Sequence, residues 1–350
     1  MTESVPVPSP VPDALLELGW NDRWTALAAT AVEEAGGDAA AVEPVRVVRH
    51  DSVAVVVAGA DGTSTRPIRP SLPALAVGDR LLVDDESIVA LLPRTSLLQR
   101  RDPTRGGAQV MAANLDRVGI VCGLDRPVKM GRIQRFVVQV YDAGALPMVV
   151  LTKSDLVDDD AIAEAVALVE RSSPGCDVLV CSVRSEHGLD ALRDFVTDRT
   201  VAFVGESGAG KSTLVNALAG HEIAATSAVR KGDSKGRHTT TSRELHVLPG
   251  HCCLVDTPGL REIGVFTDVD TVDDVYADVT DFVDDCRFND CTHLSEPGCA
   301  VLAAIDDGTL DRSRYESWLD LRADPAARHA AERKFGRLVK EATDLKRRPT

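Results

Sequence analysis

The sequence contains no apolar run long enough to span a bilayer, which excludes a helical membrane protein. Its start has neither the basic region nor the continuous apolar stretch of a secretion signal, so we expect a cytoplasmic protein without membrane contacts. No internal repeat is evident. At 350 residues the chain is too long for one compact core, which predicts two or three domains. We expect the protein to be a monomer.

Positive charge is in short supply, with 39 Lys and Arg against 54 Asp and Glu and a net charge of -15. This balance argues against an anionic partner, but the basic residues are clustered. Arginines gather over 94–105, Lys and Arg over 230–243, and again over the tail 333–348. Local basic patches can meet a phosphate backbone even on an acidic protein. Solvated surface charge remains the alternative for any one patch taken alone.

Changes in pattern along the chain predict a multidomain α/β fold. Over 43–95, short strand patterns separated by turn residues favour a small OB-type β-barrel. Strand and helix patterns then alternate, which is typical of a parallel sheet covered by helices. The predicted segments are an N-terminal extension with a helix at 13–35 (1–42), the OB-type barrel (43–95), a linker (96–115), the sheet domain (116–267) and a cysteine-bearing domain with a basic C-terminal helix (268–350).

The segment Gly205-Glu206-Ser207-Gly208-Ala209-Gly210-Lys211-Ser212 matches the phosphate-loop pattern in full. An apolar strand pattern precedes it and an apolar helix pattern follows it, so a chance glycine-rich turn is the weaker interpretation. Glycines allow backbone N–H groups to point at phosphates, and the helix offers its positive N-terminus. Lys211 is expected to neutralise the β- and γ-phosphates, while Ser212 binds Mg²⁺ and Thr213 adds a further nucleotide contact.

Two later segments have the character of switches that sense the γ-phosphate. Asp256-Thr257-Pro258-Gly259 ends the next apolar strand, where Asp256 can reach Mg²⁺ through water and the Gly259 N–H can meet the γ-phosphate. The stretch 236–241, GRHTTT, lies between the two motifs. One of its three threonines, Thr239 to Thr241, is expected to bind Mg²⁺ and to sense the γ-phosphate; the sequence does not say which, and we favour Thr240 or Thr241.

Guanine recognition needs a carboxylate facing two ring donors that adenine does not offer. Such a carboxylate usually follows the phosphate loop, but here the matching segment precedes it, as Thr152-Lys153-Ser154-Asp155. Asp155 would bind the base, Lys153 would pack along it, and Ser182 would add a contact from the next strand end. A simple helix cap is the alternative for this segment. Because four motifs fall on consecutive strand ends, we interpret the domain as a circularly permuted GTPase.

Three of the eight cysteines cluster with one histidine within fourteen residues, at Cys286, Cys291, His293 and Cys299. Three thiolates and one imidazole suit a closed tetrahedral Zn²⁺ site of structural type. Reduced cysteines without a metal are the alternative. The other five cysteines lie in apolar strand patterns, which is typical of buried structural thiols.

The combination of TKSD before GxxxxGKS, GRHTTT, DTPGLRE and CRFNDCTHLSEPGC resembles the ribosome small subunit-dependent GTPase A family over about residues 43–345. The resemblance implies an OB-type barrel, a circularly permuted P-loop GTPase domain and a zinc-binding helical domain. It implies a late assembly factor whose GTP hydrolysis is stimulated by the small ribosomal subunit. Ribosomal RNA would contact the barrel and the zinc domain, and Cys286, Cys291, His293 and Cys299 would hold the Zn²⁺. Residues 1–42 are less typical of the family.

Many GTPases place a glutamine just after the Asp-x-x-Gly segment to orient the attacking water. Leu260 occupies that position here, so hydrolysis is expected to depend on a residue from another element. His238 is our candidate for the catalytic residue, with a solvent-facing or RNA-contacting histidine as the alternative. Two rival functions are a P-loop ATPase or nucleotide kinase, and an RNA-binding zinc protein that uses GTP as a regulatory ligand in another translation-related process.

Overall fold

The computed structural model of the chain describes residues 11–34, 41–51, 53–101, 108–223, 243–256, 272–273, 275–283, 285–288 and 291–323. The strands in these residues are β1 (Glu43–Asp51), β2 (Ala54–Gly59), β3 (Gly62–Pro67), β4 (Arg80–Val83), β5 (Ile88–Leu91), β6 (Leu97–Arg101), β7 (Ala108–Ala113), β8 (Arg117–Gly123), β9 (Leu146–Thr152), β10 (Asp177–Val180), β11 (Thr200–Gly205), β12 (Arg243–Leu248) and β13 (Cys252–Asp256). The helices are α1 (Asp13–Glu17), α2 (Asp22–Glu34), α3 (Met130–Asp142), α4 (Asp159–Ser172), α5 (Leu189–Val196), α6 (Lys211–Ala219) and three C-terminal helices, Ala277–Thr280, Ala300–Asp306 and Arg312–Ala323. None of these described helices combines the length and the apolar character that a bilayer crossing requires.

An eleven-stranded sheet runs through the protein, with the central order β10-β9-β8-β11-β13-β12-β1-β2-β3. Neighbours from β10 to β13 are parallel, as the alternation of strand and helix patterns predicts. Every residue of β11 is buried, as expected for a strand covered on both faces. The sequence did not predict β12, which runs antiparallel to β13 and makes the sheet mixed.

The strands predicted to form an OB-type barrel pair in the order β3-β2-β1-β4-β5, all antiparallel. Alternate residues of β1 and β2 point into a separate apolar core that includes Val47, Val55 and Leu81. Among the strand pairs of the described residues, none joins β3 to β5, so the closure of a full barrel is not seen there. The unit is continuous with the central sheet, because β1 pairs with β12 through Arg49 opposite Glu244 and His50 opposite Arg243.

The segment predicted as a linker, 96–115, contains the antiparallel hairpin of β6 and β7. Leu98 and Met111 are 1% and 0% exposed and belong to the main core. Arginines and glycines dominate the middle of this segment in the sequence and hide the short alternation of buried residues on either side. This burial explains why β6 and β7 form a paired part of the core where the sequence suggested a linker.

Residues 11–34, which we call the N-terminal strap, form two helices where the sequence predicted one. The break is at Gly19, whose φ of 73° is left-handed and whose missing Cβ leaves room for two arginines. Arg46 of β1 is fully buried and donates to Leu18 O at 2.6 Å and to Thr200 Oγ1 at 2.8 Å. Arg80 of β4 donates to Gly19 O at 2.7 Å and stacks 4.4 Å from the Trp24 ring. The strap therefore bridges the antiparallel strands β1 and β4 and the start of β11 in the central sheet.

The C-terminal helices pack on the outer surface of α3 and α4. Val138 of α3 shares one apolar core with Tyr276 and Trp318. Arg314, 4% exposed, donates to Ser172 O at the end of α4 at 3.1 Å and to the Asp278 carboxylate at 2.8 Å. A buried guanidinium with both a carboxylate and carbonyl partners is satisfied, so this contact holds the C-terminal segment on the sheet domain.

Candidate nucleotide-binding site and metal centre

The predicted phosphate loop connects the C-terminal end of β11 to the first turn of α6. Gly205, Gly208 and Gly210 have φ values of 139°, 80° and 98°, in the region that side chains disfavour. A Cβ on Gly205 would lie 2.3 Å from Val121 O, so the close packing of β8 against β11 also requires glycine there. The loop thereby brings backbone N–H groups and the N-terminus of α6 to one point at the edge of the sheet.

Lys211 is the first residue of α6, and its ammonium folds over the loop that precedes it. Nζ donates to Gly205 O at 2.7 Å and to Glu206 O at 2.6 Å. Ser212 follows it half-buried on the same helix turn, and Thr213 is exposed. The predicted phosphate-binding cation and the predicted Mg²⁺ ligand thus stand together at the mouth of the loop.

The predicted base motif lies beside the phosphate loop, although more than fifty residues separate them in the chain. Thr152, the last residue of β9, donates from Oγ1 to Ala209 O at 2.6 Å. Lys153 has a left-handed backbone with φ of 61°, and its Nζ donates to Gly208 O at 2.7 Å. Two direct hydrogen bonds therefore join the two motifs into one site.

Asp155 is exposed at the start of the 3-10 turn Ser154–Leu156, and one of its carboxylate oxygens is fixed from the neighbouring strand end. Ser182 Oγ, 1% exposed, donates to Asp155 Oδ1 at 2.6 Å. The Ser182 N–H in turn donates to His187 O at 2.9 Å, and Ser154 N–H donates to Cys181 O. The predicted base-recognition residues are therefore brought together and oriented by β10.

Asp125 was not singled out by the sequence, yet it lies inside this site at the end of β8. Its Oδ2 accepts from Arg126 Nη2 at 3.0 Å and from Lys153 Nζ at 2.8 Å. Hydrogen bonds from Arg126 and then Lys153 lower the pKa of Asp125 to about 2. The signal that could have found it is its position after the apolar run of β8, which is another strand end of the same sheet edge.

Glu206, in the phosphate loop, connects this edge to the start of α3. Its carboxylate pairs with Lys129 at 3.3 Å, with Arg126 at 3.8 Å and, most closely, with Arg132. These pairs are partly exposed, so each contributes little stability by itself. Together they place three cations around one carboxylate on the outer side of the loop.

Asp256 is the half-buried last residue of β13, the strand next to β11. The parallel register pairs Ala202 with Val255, which places Asp256 on the same sheet edge as the phosphate loop. The other predicted switch residues lie outside the described residues; these are His238, Thr240, Thr241, Gly259 and Leu260.

The four predicted zinc ligands converge in space. The Sγ atoms of Cys286 and Cys299 lie 3.5 and 3.6 Å from His293 Nδ1 and 3.9 Å from each other. With Cys291 included, all four ligand atoms lie within 4.8 Å of one another. Ligands of a tetrahedral Zn²⁺ with Zn–S bonds of about 2.3 Å are separated by roughly 3.5 to 3.8 Å, so the residues fit such an ion.

The groups around this cluster fix its side chains. Ala300 N–H donates to Cys286 Sγ at 3.4 Å and Leu302 N–H to Cys299 Sγ at 3.5 Å, contacts that favour thiolates. Tyr315 donates to His293 O, and the Trp318 ring lies 5.5 Å from the imidazole. The four ligand side chains lie against the apolar core. Four protein ligands are typical of a structural metal centre, whereas a catalytic centre keeps one position open for water or substrate.

Of the five remaining cysteines, Cys176, Cys181, Cys252 and Cys253 are buried, as the sequence predicts, and Cys122 is half-buried. Burial raises the pKa of Cys122, Cys176 and Cys252 to about 12 and that of Cys181 to about 11. Such thiols stay protonated and unreactive at neutral pH.

Similar proteins share these features along most of the chain. A family model described as RsgA GTPase matches residues 91–266. A protein of Streptomyces coelicolor named small ribosomal subunit biogenesis GTPase RsgA is 42% identical over 88% of this chain and 86% of its own length. Its namesake in Xanthomonas axonopodis pv. citri is 43% identical over 83% of this chain and 82% of its own.

Solved structures share the fold. YjeQ from Thermotoga maritima superimposes with a TM-score of 0.61 at 26% identity, covering 80% of this chain and 97% of that one. YloQ, described as a circularly permuted GTPase, gives a TM-score of 0.58 at 22% identity over 83% of this chain and 96% of its own. The order of base motif before phosphate loop therefore occurs here on a fold already known in permuted form.

Proposed function

The chain belongs to the RsgA GTPase family, and on that premise we propose that it hydrolyses GTP as a late-stage assembly factor of the small ribosomal subunit. The observation that carries the proposal is the junction of the two motifs. Thr152 and Lys153 of the base motif each bond to a carbonyl of the phosphate loop, at 2.6 and 2.7 Å. A GTP site needs a base-recognition motif and a phosphate loop at a fixed distance from each other, and these hydrogen bonds join the two. Stimulation of hydrolysis by the small subunit is part of the proposal.

Within this site we assign roles to the residues predicted from the sequence. The loop from Gly205 to Thr213 would surround the phosphates, with Lys211 neutralising their charge. Asp155, oriented by Ser182, would accept from guanine, and the stem of Lys153 would cover the ring. Mg²⁺ would be held by Ser212, by Asp256 through water and by Thr240 or Thr241, and when bound it supplies charge stabilisation to the transferring phosphoryl group. His238 is the proposed catalytic residue.

For the cluster of Cys286, Cys291, His293 and Cys299 we propose one structural Zn²⁺. The support is the chemistry of the donor set and its spacing, together with the N–H groups that face two of the sulfurs. The role of the ion would be to hold the C-terminal helices, since this segment is short and polar outside its small apolar core.

We further propose that 43–95 is an OB-type barrel and that it and the zinc domain (268–350) contact ribosomal RNA. The pairing of β1 with both β2 and β4 is the strand arrangement that such barrels use, which supports the assignment. In this proposal 116–267 is the GTPase domain and the protein acts as a monomer in the cytoplasm.

A GTPase assay with and without purified small ribosomal subunits tests nucleotide, reaction and partner together. We expect slow hydrolysis by the protein alone, strong acceleration by small subunits, and little turnover of ATP in either case. Lys211→Ala serves as the control that removes hydrolysis by the site itself. GTP binding without stimulated phosphate release would instead favour an RNA-binding zinc protein regulated by GTP, and preferential use of ATP would favour an ATPase or nucleotide kinase.

A further inference from the structure

We propose that Asp125 is a positioning residue for guanine recognition, which acts by fixing the ammonium group of Lys153 above the phosphate loop. The inference deepens the proposed GTP site and rests on it. Asp125 belongs to neither the base motif nor the phosphate loop. It would determine how firmly the Lys153 stem covers the base, and so how well the site separates guanine from other bases.

The first support is the geometry of the Lys153 ammonium. Nζ donates to Gly208 O at 2.7 Å and to Asp125 Oδ2 at 2.8 Å, so three segments meet at one atom: the ends of β8 and β9 and the phosphate loop. A lysine side chain has four rotatable bonds and loses considerable rotamer freedom when it is fixed. With Asp125 removed, a single neutral carbonyl would have to hold the group, and the stem would sample other positions.

Gly123, the last residue of β8, makes the contact between Asp125 and Lys153 possible. A Cβ on Gly123 would lie 2.5 Å from Asp125 Oδ1 and 3.5 Å from Cδ and Cε of Lys153. Gly123 does not have a left-handed backbone, so its lack of a side chain matters for space and not for conformation. The end of β8 is therefore shaped to let the carboxylate and the lysine stem approach each other.

The charges around Asp125 give the second support. Arg126 Nη2 and Lys153 Nζ both donate to the same oxygen, Oδ2, at 3.0 and 2.8 Å. Two cations this close repel each other unless a negative charge lies between them. The Asp125 carboxylate is ionised throughout the neutral range, as an aspartate ordinarily is, and the hydrogen bonds from Arg126 and Lys153 lower its pKa further. Removing the Asp125 carboxylate would free the Lys153 ammonium, and repulsion from Arg126 would then push that ammonium away.

The effect is expected in nucleotide binding and base selectivity. The carboxylate and the lysine are 24% and 28% exposed, so solvent screens the pair in part. For Asp125→Ala we expect a loss of guanine nucleotide affinity of about 3- to 10-fold. The weak binding of ATP would change little, so the ratio of GTP to ATP affinity would fall, and turnover at saturating GTP would be retained.

A double-mutant cycle tests the inference, with the dissociation constant of a fluorescent GDP analogue and its competition by GTP and ATP as readouts. The variants are D125A, K153A, the double variant D125A/K153A, and R126A. Asp177→Ala is the matched control, because Asp177 pairs with Arg117 at 2.7 Å on the same sheet but away from the loop. Thermal unfolding of every variant separates loss of binding from loss of fold.

If Asp125 acts through Lys153, the double variant binds no more weakly than K153A, and the two single losses do not add. Wild-type affinity in D125A, fully additive losses, or the same loss in R126A would each overturn the inference. A wild-type protein that binds ATP as tightly as GTP would instead refute the proposed function. The two failures are thereby distinguishable in one set of titrations.

Discussion

The guanidinium of Arg46, in β1, donates a 2.8 Å hydrogen bond to Oγ1 of Thr200, the first residue of the strand that leads into the phosphate loop. The same side chain donates to Leu18 O of the N-terminal strap, and its NεH to Gly78 O. One buried charge thus joins three parts of the chain that are distant in sequence. The N-terminal extension, whose role the sequence left open, is part of this junction.

Arg46→Ala is expected to lower the free energy of unfolding by about 2–4 kcal/mol, because Leu18 O and Thr200 Oγ1 both lose their donor in a buried place. Urea denaturation measures the loss. Nucleotide affinity should change less than about twofold, since none of these atoms lies at the phosphate loop. Arg49→Ala on the same strand is the control; its exposed pair with Asp51 contributes at most about 0.5 kcal/mol. Equal stability of the two variants would contradict a junction at Arg46.

Asp155→Asn is expected to weaken guanine nucleotide binding at least about 100-fold, because an amide presents a donor to the donors of the base. Xanthine carries a carbonyl where guanine carries its amino group, so the same variant should gain affinity for xanthosine nucleotides. Competitive titration with guanosine and xanthosine nucleotides measures this change in base preference.

Asp158→Asn is the control for this exchange, since Asp158 lies three residues further on and caps α4 by accepting from Ala161 N–H at 2.9 Å. Asparagine caps helices equally well, so this variant should keep wild-type preference. Loss of GTP binding in Asp155→Asn without any gain for xanthosine nucleotides would show that Asp155 does not contact the base edge.

If the cluster of Cys286, Cys291, His293 and Cys299 holds the proposed Zn²⁺, a strong chelator is expected to unfold the C-terminal segment locally while GTP binding persists within about twofold. Trp318 is 1% exposed and lies beside His293, so its fluorescence should shift to longer wavelength as the cluster opens. The other tryptophans, Trp20 and Trp24, lie in the strap. In Trp318→Phe the spectral change should therefore vanish. A chelated protein with an unchanged Trp318 signal would rule out a structural role for the ion.

His238→Ala is expected to reduce turnover stimulated by small subunits by about 100-fold, the scale of a residue that orients or polarises the attacking water. Affinity for GTP should stay the same, because the phosphate loop and Asp155 are untouched. His246→Ala, a histidine on β12, is the control. Full stimulated turnover in His238→Ala would end its catalytic assignment.

The nucleotide site could be predicted from sequence because its parts are local. Backbone geometry at Gly205 to Gly210 and the strand-end position of Asp155 follow from short patterns that need no knowledge of the rest of the fold. Their reversed order was equally visible in the chain. The zinc cluster was predictable for the same reason, since all four ligands fall within fourteen residues.

Contacts between distant segments were not predictable. In the sequence, Asp125 is only an acidic residue that follows a strand pattern. Its contact with Lys153 depends on the pairing of β8 with β9, which the sequence pattern does not show. Arg46 can be buried only because both Leu18 and Thr200 accept hydrogen bonds from it. The pattern of apolar residues around Arg46 in the sequence does not reveal these distant partners. Strand β12 was missed because its pattern, RELHVL, has one face half exposed and follows a long polar stretch. In each case tertiary packing, and not local preference, decides the outcome.

The pairing of β1 with β12 has a consequence for the order in which the chain can fold during synthesis. Domains usually fold from the N-terminus as they leave the ribosome. Arg49 and His50 pair with Glu244 and Arg243, roughly two hundred residues later, and such distant pairings form slowly. Until then the end of β1 at Arg49 and His50 lacks this partner, although the start of the same edge already pairs with β4. Nascent chains of this protein therefore carry a short unpaired stretch of strand edge through most of their translation.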